Sequence, residues 1–258
     1  MVKGPHGATA AGDARRGPLA PRLGPTRRSG PIRAVVFDLD DTLCRERDYV
    51  RSGYRAVAEA LRRRTGRPAA YEDWMWKRFL TGRRSGTFDA LSRRFRLALT
   101  DADVAALVAV YRNHRPHLRP CRGVRELLVE LRRRRRKVAL LSDGFLPAQR
   151  LKLDALALER LFDAVVFTES LGRDAWKPSP RGFQAVRRKL AVPHHACAYV
   201  ADNPAKDFLA PNALGWLTVQ WRRPGQLHAD GPAPPGGAPA RTVRSAPALL
   251  KLLLNPPA

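Results

Sequence analysis

Cysteine is scarce in this 258-residue chain: Cys44, Cys121 and Cys197 stand far apart and form no Cys-x-x-Cys pair. That argues against a thiolate zinc site or a disulfide framework and fits a reducing cytoplasm. No apolar run approaches the roughly 20 residues a membrane-crossing helix needs, and the N-terminus lacks the apolar core of a secretory signal. Membrane partners are therefore not expected. There is no Gly-x-x-x-x-Gly-Lys phosphate loop and no internal repeat. Acidic residues number only 23 against 48 lysines and arginines, a formal net charge of +25. Taken alone, that charge nominates a nucleic-acid-binding protein. Its distribution does not favour one, because the basic residues are spread over the N-terminal tail, several helical stretches and the segment after Trp221. Few of the aromatics, 7% of the chain, lie between them as stacking platforms. The densest run, 132–137, precedes a strand-like segment and reads as the solvated C-terminal end of an amphipathic helix.

What the chain does have is enough apolar material, 44% of residues, for one large domain or a core domain with an accessory one. Residues 1–31 are rich in Gly, Pro, Ala and Arg and are expected to form a disordered basic tail. A strand is predicted over 33–38, then four helices over 46–64, 70–80, 87–99 and 101–113. The last opens with Thr100 and Asp103, a capping-box pair with Asp in place of Glu. Trp74, Trp76 and Phe79 read as the core of this helical region or as its face toward the main domain. After Pro120 helices alternate with short apolar strands, the mark of a parallel sheet: strands over 137–142, 164–168, 197–201 and 217–221, helices over 124–135, 149–156 and 181–190. A Pro/Gly-rich loop over 224–240 and a short helix over 247–254 complete the chain.

The first strand ends in Asp38-Leu39-Asp40-Asp41-Thr42. Side chains at i and i+2 of a strand share a face, so Asp38 and Asp40 can converge at its tip. Paired carboxylates suit phosphoryl transfer, one attacking phosphorus and holding a metal while the other moves protons. In an open parallel sheet ligands bind beyond the carboxyl ends of the strands. There the sequence also places Ser142, Asp143 and Gly144 after the second strand, Lys177 before Pro178 after the third, and Asp202 and Asp207 after the fourth. Ser179-Pro180 and Asn203-Pro204 read as an N-cap followed by the first helical residue, which puts Lys177 near a helix mouth suited to an anion.

In this order the motifs Asp38-Leu-Asp-Asp-Thr-Leu43, Leu140-Leu-Ser-Asp-Gly144, Lys177-Pro178 and Asp202-Asn-Pro-Ala-Lys-Asp207 resemble those of the haloacid dehalogenase-like (HAD) hydrolase superfamily, over about three-quarters of the chain. The resemblance implies an α/β fold: a Rossmann-like three-layer αβα core with a parallel sheet of order 3-2-1-4-5 and an inserted four-helix cap of the superfamily's first (C1) type. The core then spans 32–43 and 115–258, and the cap 44–114. It further implies a phosphatase for a small phosphorylated metabolite, with Asp38 as nucleophile and Asp40 as acid and base. Mg²⁺ falls to Asp38, the main-chain carbonyl of Asp40 and Asp202, with Asp207 orienting that shell. Ser142 and Lys177 would bind phosphoryl oxygens, and Thr42 would support the turn and hydrogen-bond near Asp40. A phosphomutase on the same centre and a basic nucleic-acid-associated or scaffold protein without turnover are the alternatives. Dehalogenase chemistry is disfavoured, since it has no use for the acid at Asp40.

Several other residues deserve mention. Arg51, Tyr54 and Arg55 are candidates for contacting the rest of a substrate, with helix-surface roles favoured. Cys44 lacks a partner base and reads as buried rather than nucleophilic. His114, His117, His194 and His195 match no metal motif. Substrate identity and oligomeric state are not legible.

Overall fold

A computed structural model describes residues 30–256. Most of the stretch expected to be a basic tail, residues 1–29, lies outside the described residues. The strands are β1 (Ala34–Phe37), β2 (Lys137–Ser142), β3 (Ala164–Phe167), β4 (Cys197–Ala201), β5 (Leu217–Trp221) and β6 (Arg241–Val243). They form one parallel sheet in the order β3-β2-β1-β4-β5-β6. The expected order is thus extended by one edge strand. With three residues, half exposed, β6 carries too little apolar alternation to stand out beside the Pro/Gly-rich loop.

Side-chain alternation divides the sheet between two cores. Val35 and Phe37, Val138 and Leu140, and Ala198 and Val200 face one side. They pack there against α5 (Val124–Arg133), α6 (Leu146–Leu156) and α9 (Ala246–Leu254). Ala34 and Val36, Ala139 and Leu141, and Cys197, Tyr199 and Ala201 face the other, against α7 (Arg181–Leu190) and the short α8 (Leu209–Ala213). Both faces of β1, β2 and β4 are covered, which is why these strands read as near-continuous apolar runs.

Between β1 and α5 lie α1 (Glu46–Thr65), α2 (Tyr71–Leu80), α3 (Thr87–Phe95) and α4 (Asp101–Asn113). They bury a third core of their own, from Val50, Tyr54, Val57 and Leu61 on α1, Tyr71, Met75 and Phe79 on α2, Phe88 and Leu91 on α3, and Leu107 on α4. Those spacings put each set on one helical stripe. The predicted capping box of α4 is formed, with Asp103 N–H donating to Thr100 Oγ1 (3.2 Å) and Thr100 N–H to Asp103 Oδ2 (2.9 Å). Trp74 and Trp76 are half-buried against this core and Phe79 lies within it. Gly53 lets α1 approach α4, since a Cβ there would meet the Tyr111 ring at 2.5 Å. The two connections of the insertion are tied by one main-chain bond, Cys121 N–H to Leu43 carbonyl, at 2.8 Å.

Two expected caps differ. α7 begins one residue later than Ser179-Pro180 suggests, with Pro180 at the N-cap position, a shift within the fraying of helix ends. Asn203-Pro204 starts a single turn rather than a helix: Asn203 Oδ1 accepts from Ala205 N–H at 3.0 Å, its carbonyl accepts from Asp207 N–H, and α8 begins only at Leu209. The basic run after Leu131 is solvated, with Arg133 and Arg134 on Glu130 and Arg132 on Asp163.

Candidate active site

The carboxyl ends of β1, β2 and β4 open into a cleft of about 340 Å³ whose wall includes Asp38, Asp40, Asp143, Lys152, Asp202 and Lys206. Just after β1 the Leu39 carbonyl accepts three successive main-chain N–H groups, those of Thr42, Leu43 and Cys44, winding the chain into a tight loop. Asp41 sits in that loop with φ +51°. Its carboxylate takes the N–H of Glu46 (2.9 Å), capping α1 from four residues ahead of the N-cap position, and the N–H of Leu227 (2.7 Å). The loop is thereby fixed from both sides.

Lys177 lies at the centre. Its side chain is 1% exposed, and Nζ reaches Asp38 Oδ1 at 2.6 Å, Asp207 Oδ1 at 2.7 Å and the Tyr199 hydroxyl at 3.0 Å. Burial favours the neutral amine, yet Asp207 and Asp38 outweigh it and hold the lysine charged, well above its ordinary range. Its own N–H donates to the Asp143 carboxylate, which also accepts from the Thr168 hydroxyl at 2.8 Å and lies 3.7 Å from Lys206 Nζ. Asp143 thus ties the segments that follow β2 and β3 to Lys177.

The carboxylates outnumber the cations here. Burial pushes Asp38 up to about 7, against the lowering pull of Lys177 and with Asp207 adding to the rise. Asp202 is pushed up to about 9, first by burial and then by Asp38 and Asp207. Its Oδ2 is buried without a hydrogen-bond partner among the described residues. Such a set wants a further cation. Among the described residues no group of three or more His, Cys, Asp or Glu side chains is gathered for a metal. A hard divalent cation that keeps most of its waters needs fewer, and the chemistry of the donors here, two carboxylates and a strand-end carbonyl, fits Mg²⁺.

Asp40 differs from Asp38. Burial alone would raise it, but Lys152 Nζ, 2.8 Å and 2.7 Å from its two oxygens, and Gln149 Nε2, 3.1 Å away, hold it below the ordinary carboxylate range. Lys152 is itself buried, 4.0 Å from the Tyr49 ring centroid. Gln149 reaches Asp40 only because residue 144 is glycine; a Cβ there would meet Gln149 Nε2 at 2.4 Å. Neither Gln149 nor Lys152 stands out as a site residue from sequence, yet with Leu153 and Leu156 they fall on the buried stripe of α6. Two long polar side chains on an apolar stripe are the signal that finds them.

Breaking this pair with Lys152→Met is expected to cost about 3 kcal/mol at neutral pH, the low end for a buried pair because the Asp40 side chain is 22% exposed. Asp40 has its pKa depressed on folding, so the stability it supplies is present above its ordinary pKa and is lost as pH falls through the lowered one. The gap between wild-type and variant in denaturant unfolding should therefore narrow below about pH 4. A gap that is constant with pH would contradict the pairing.

The remaining expected residues take varied places. Asp207 is fully buried, with Oδ2 accepting from Asn203 N–H at 3.0 Å. Ser142 is buried at the tip of β2 with Oγ 3.5 Å from the Asp143 carbonyl, and is not on the cleft wall. Thr42 is buried, and its Oγ1 has no hydrogen-bond partner among the described residues, so the turn is held by main-chain bonds. Arg51 and Arg55 pair with Glu72 at 3.8 and 3.5 Å, and Tyr54 lies in the core of the insertion; none of the three is on the cleft wall. Glu46 and His228, paired at 3.5 Å, and Trp176 line it instead. Burial keeps the Cys44 thiol protonated, far above its ordinary range. His114 bonds Ser52 Oγ at 3.1 Å within the insertion, and His194 accepts from Trp216 Nε1 at 2.8 Å, before β4.

Comparison with known proteins places this arrangement. The sequence profile of the haloacid dehalogenase-like hydrolases matches residues 32–215. A glyceraldehyde 3-phosphate phosphatase of Methanopyrus kandleri is 29% identical over 199 residues, 74% of this chain and 84% of the relative. A phosphoserine phosphatase of Thermus thermophilus is 29% identical over 228 residues, 73% of this chain and 88% of the relative. Among solved structures, a Bacillus subtilis HAD-hydrolase bound to magnesium superposes with a TM-score of 0.62 at 19% identity, covering 87% of this chain and 99% of the other.

Proposed function

This chain belongs to the haloacid dehalogenase-like hydrolase family, and from that premise we propose that it is a Mg²⁺-dependent phosphatase acting on a small phosphate monoester, a sugar phosphate or nucleoside monophosphate. The observation that carries the reading is the convergence of Asp38 with Lys177 at 2.6 Å, beside the partnerless oxygen of Asp202 and in one cleft with Asp40. The phosphatase names of the two curated relatives support it.

Asp38 attacks phosphorus and becomes an aspartyl phosphate, while the leaving oxygen takes a proton from Asp40. Asp40 then takes a proton from the water that hydrolyses the intermediate. Its carboxylate rests ionised against Lys152, so it takes up a proton from solvent before the first half-reaction, and the carboxylate then released is ready as the base of the second. Lys177 binds the phosphoryl oxygens and limits repulsion between Asp38 and the incoming dianion. Ser142, buried behind the cleft wall at the tip of β2, supports the strand end from which Asp143 reaches Lys177. Asp38, the Asp40 carbonyl and Asp202 would hold Mg²⁺, positioned by Asp207, and the ion would supply charge neutralisation at the phosphoryl group. The helices α1–α4 act as a cap, and Glu46 and His228 stand at the rim. Three cysteines without a Cys-x-x-Cys spacing support a reducing cytoplasm as its setting.

Phosphate release from p-nitrophenyl phosphate is expected with Mg²⁺ and to fall to background with EDTA, and a panel of sugar phosphates and nucleoside monophosphates should yield one substrate well above the rest. Equal rates with and without the metal would sink the proposal, and isomer interconversion without net phosphate release would turn it into a mutase.

A further inference from the structure

A second basin lies on the far side of the catalytic loop and shares no wall residue with the first. It encloses about 580 Å³, within the range of small-molecule sites. Arg45, Arg122, Arg223 and Arg244 all border it. Among the described residues none of the four pairs with a carboxylate. The one acid on the wall, Asp41, already accepts the N–H groups of Glu46 and Leu227.

Four guanidiniums without a carboxylate in ion-pair range give the basin a positive wall, with Asp41 and Asp202 acting on Arg223 only from further off, and the local backbone adds to the positive potential. Two helices begin at this basin. α5 starts after Gly123 with no side-chain cap, and α9 starts after Ser245. The two beginnings abut, since a Cβ on Gly123 would meet the Ala246 Cβ at 2.9 Å. Two residues of the wall also carry buried donors without a partner among the described residues. Arg223 uses Nη2 on the Thr42 carbonyl, but its Nε and Nη1 are buried without partners. Trp221, 1% exposed, lies under the Arg223 guanidinium at 3.9 Å, and its Nε1 also lacks a partner. An anion answers all of these features together. Part of the remaining wall, Cys121, Pro224, Ala246 and Pro247, is apolar and has no use for a bare inorganic ion.

We infer that this basin is a binding site for a small organic phosphate, its phosphate held by the arginines and the two helix starts and its organic part against Cys121 and the prolines. The occupant would touch the reaction only through the loop. Arg223 grips the Thr42 carbonyl, and Gln226 donates to the Asp41 carbonyl at 2.7 Å, one and two residues beyond Asp40. This is an effector site rather than a second place for turnover.

Phenylphosphonate, which has no ester bond to hydrolyse, is the probe, with inorganic phosphate for comparison. Calorimetric titration of the full chain in EDTA should give one saturable site that prefers phenylphosphonate. Arg122→Glu with Arg244→Glu, both exposed, should weaken it by at least about tenfold, since each charge-assisted contact carries that order of affinity. The milder Arg122→Gln/Arg244→Gln pair should weaken it in the same direction, and serves if charge reversal lowers the melting temperature. Lys206→Ala, on the wall of the Asp38 cleft, should leave it unchanged. No saturable binding, binding that survives both arginine pairs, binding lost with Lys206→Ala, or retention of an RNA oligomer without phenylphosphonate binding would each overturn the inference. Because the readout is binding without metal or turnover, the result stands apart from whether the enzyme is a phosphatase.

Discussion

Asp38→Asn is expected to stop phosphate release, lowering kcat by about four orders of magnitude or more, because the amide can form no acyl phosphate. The substitution is nearly isosteric at a position 6% exposed, and the amide oxygen can still accept from Lys177. Stability should hardly suffer. With its pKa raised to about 7, Asp38 binds its proton more tightly in the folded than in the unfolded metal-free protein, so its contribution to stability falls as pH rises from about 4 toward 7. Asparagine does not titrate and should flatten that part of the profile. Phosphate-release kinetics and melting temperatures on the same preparations separate the two effects. Turnover within tenfold of wild type would exclude Asp38 as nucleophile.

Lys177→Met is expected to be the most destabilising change in the site. It leaves Asp38 and Asp207 buried without their common cation, and Asp202 remains beside them with a partnerless oxygen. Removing one partner of a buried ion pair costs about 3–5 kcal/mol, which for a chain of this size lowers the melting temperature by on the order of 10 °C. The folded-state pKa of Lys177 is raised, so its stabilisation is fully present below the ordinary lysine value and is lost only as pH rises through the higher one. The loss should therefore be complete at neutral pH. Adding Asp207→Asn to Lys177→Met should recover part of the melting temperature while activity stays low. If the double variant melts below the single, the repulsion between these carboxylates is not what Lys177 relieves.

Much of this was legible in the chain itself, and the reasons differ from part to part. β1, β2 and β4 are buried on both faces, so each reads as an apolar run, and the polar residues that follow mark the strand tips where Asp38, Lys177 and Asp202 meet. α7 spans the expected residues because Phe183, Val186 and Leu190 keep a clear stripe. Lys152 has a fainter mark, a long polar side chain on an apolar stripe, which does not by itself say what it pairs with. Its partner shows only when the helix is turned toward Asp40, a contact spanning 112 positions of sequence. The loops after β4 and β5 were harder still. Asn203-Pro204 has the letters of a helix start, but the following residues are committed to holding Asp207 beneath Lys177. Likewise, Arg223 and Gln226 read as loop residues because their partners, the carbonyls of Thr42 and Asp41, have no side-chain signature.

The hydrogen bond from Cys121 to Leu43 has a mechanical meaning for the four inserted helices. Both strands of the connection pass through one point, and that point is only three residues from Asp40. If the insertion moves as a body, it must swing about this pin rather than slide, so its far side travels furthest while the base of α1 stays nearly still. Residues close to the pin, such as Glu46, then keep their place on the wall of the Asp38 cleft in every posture. The opposite rim is where small rotations open or close the most space.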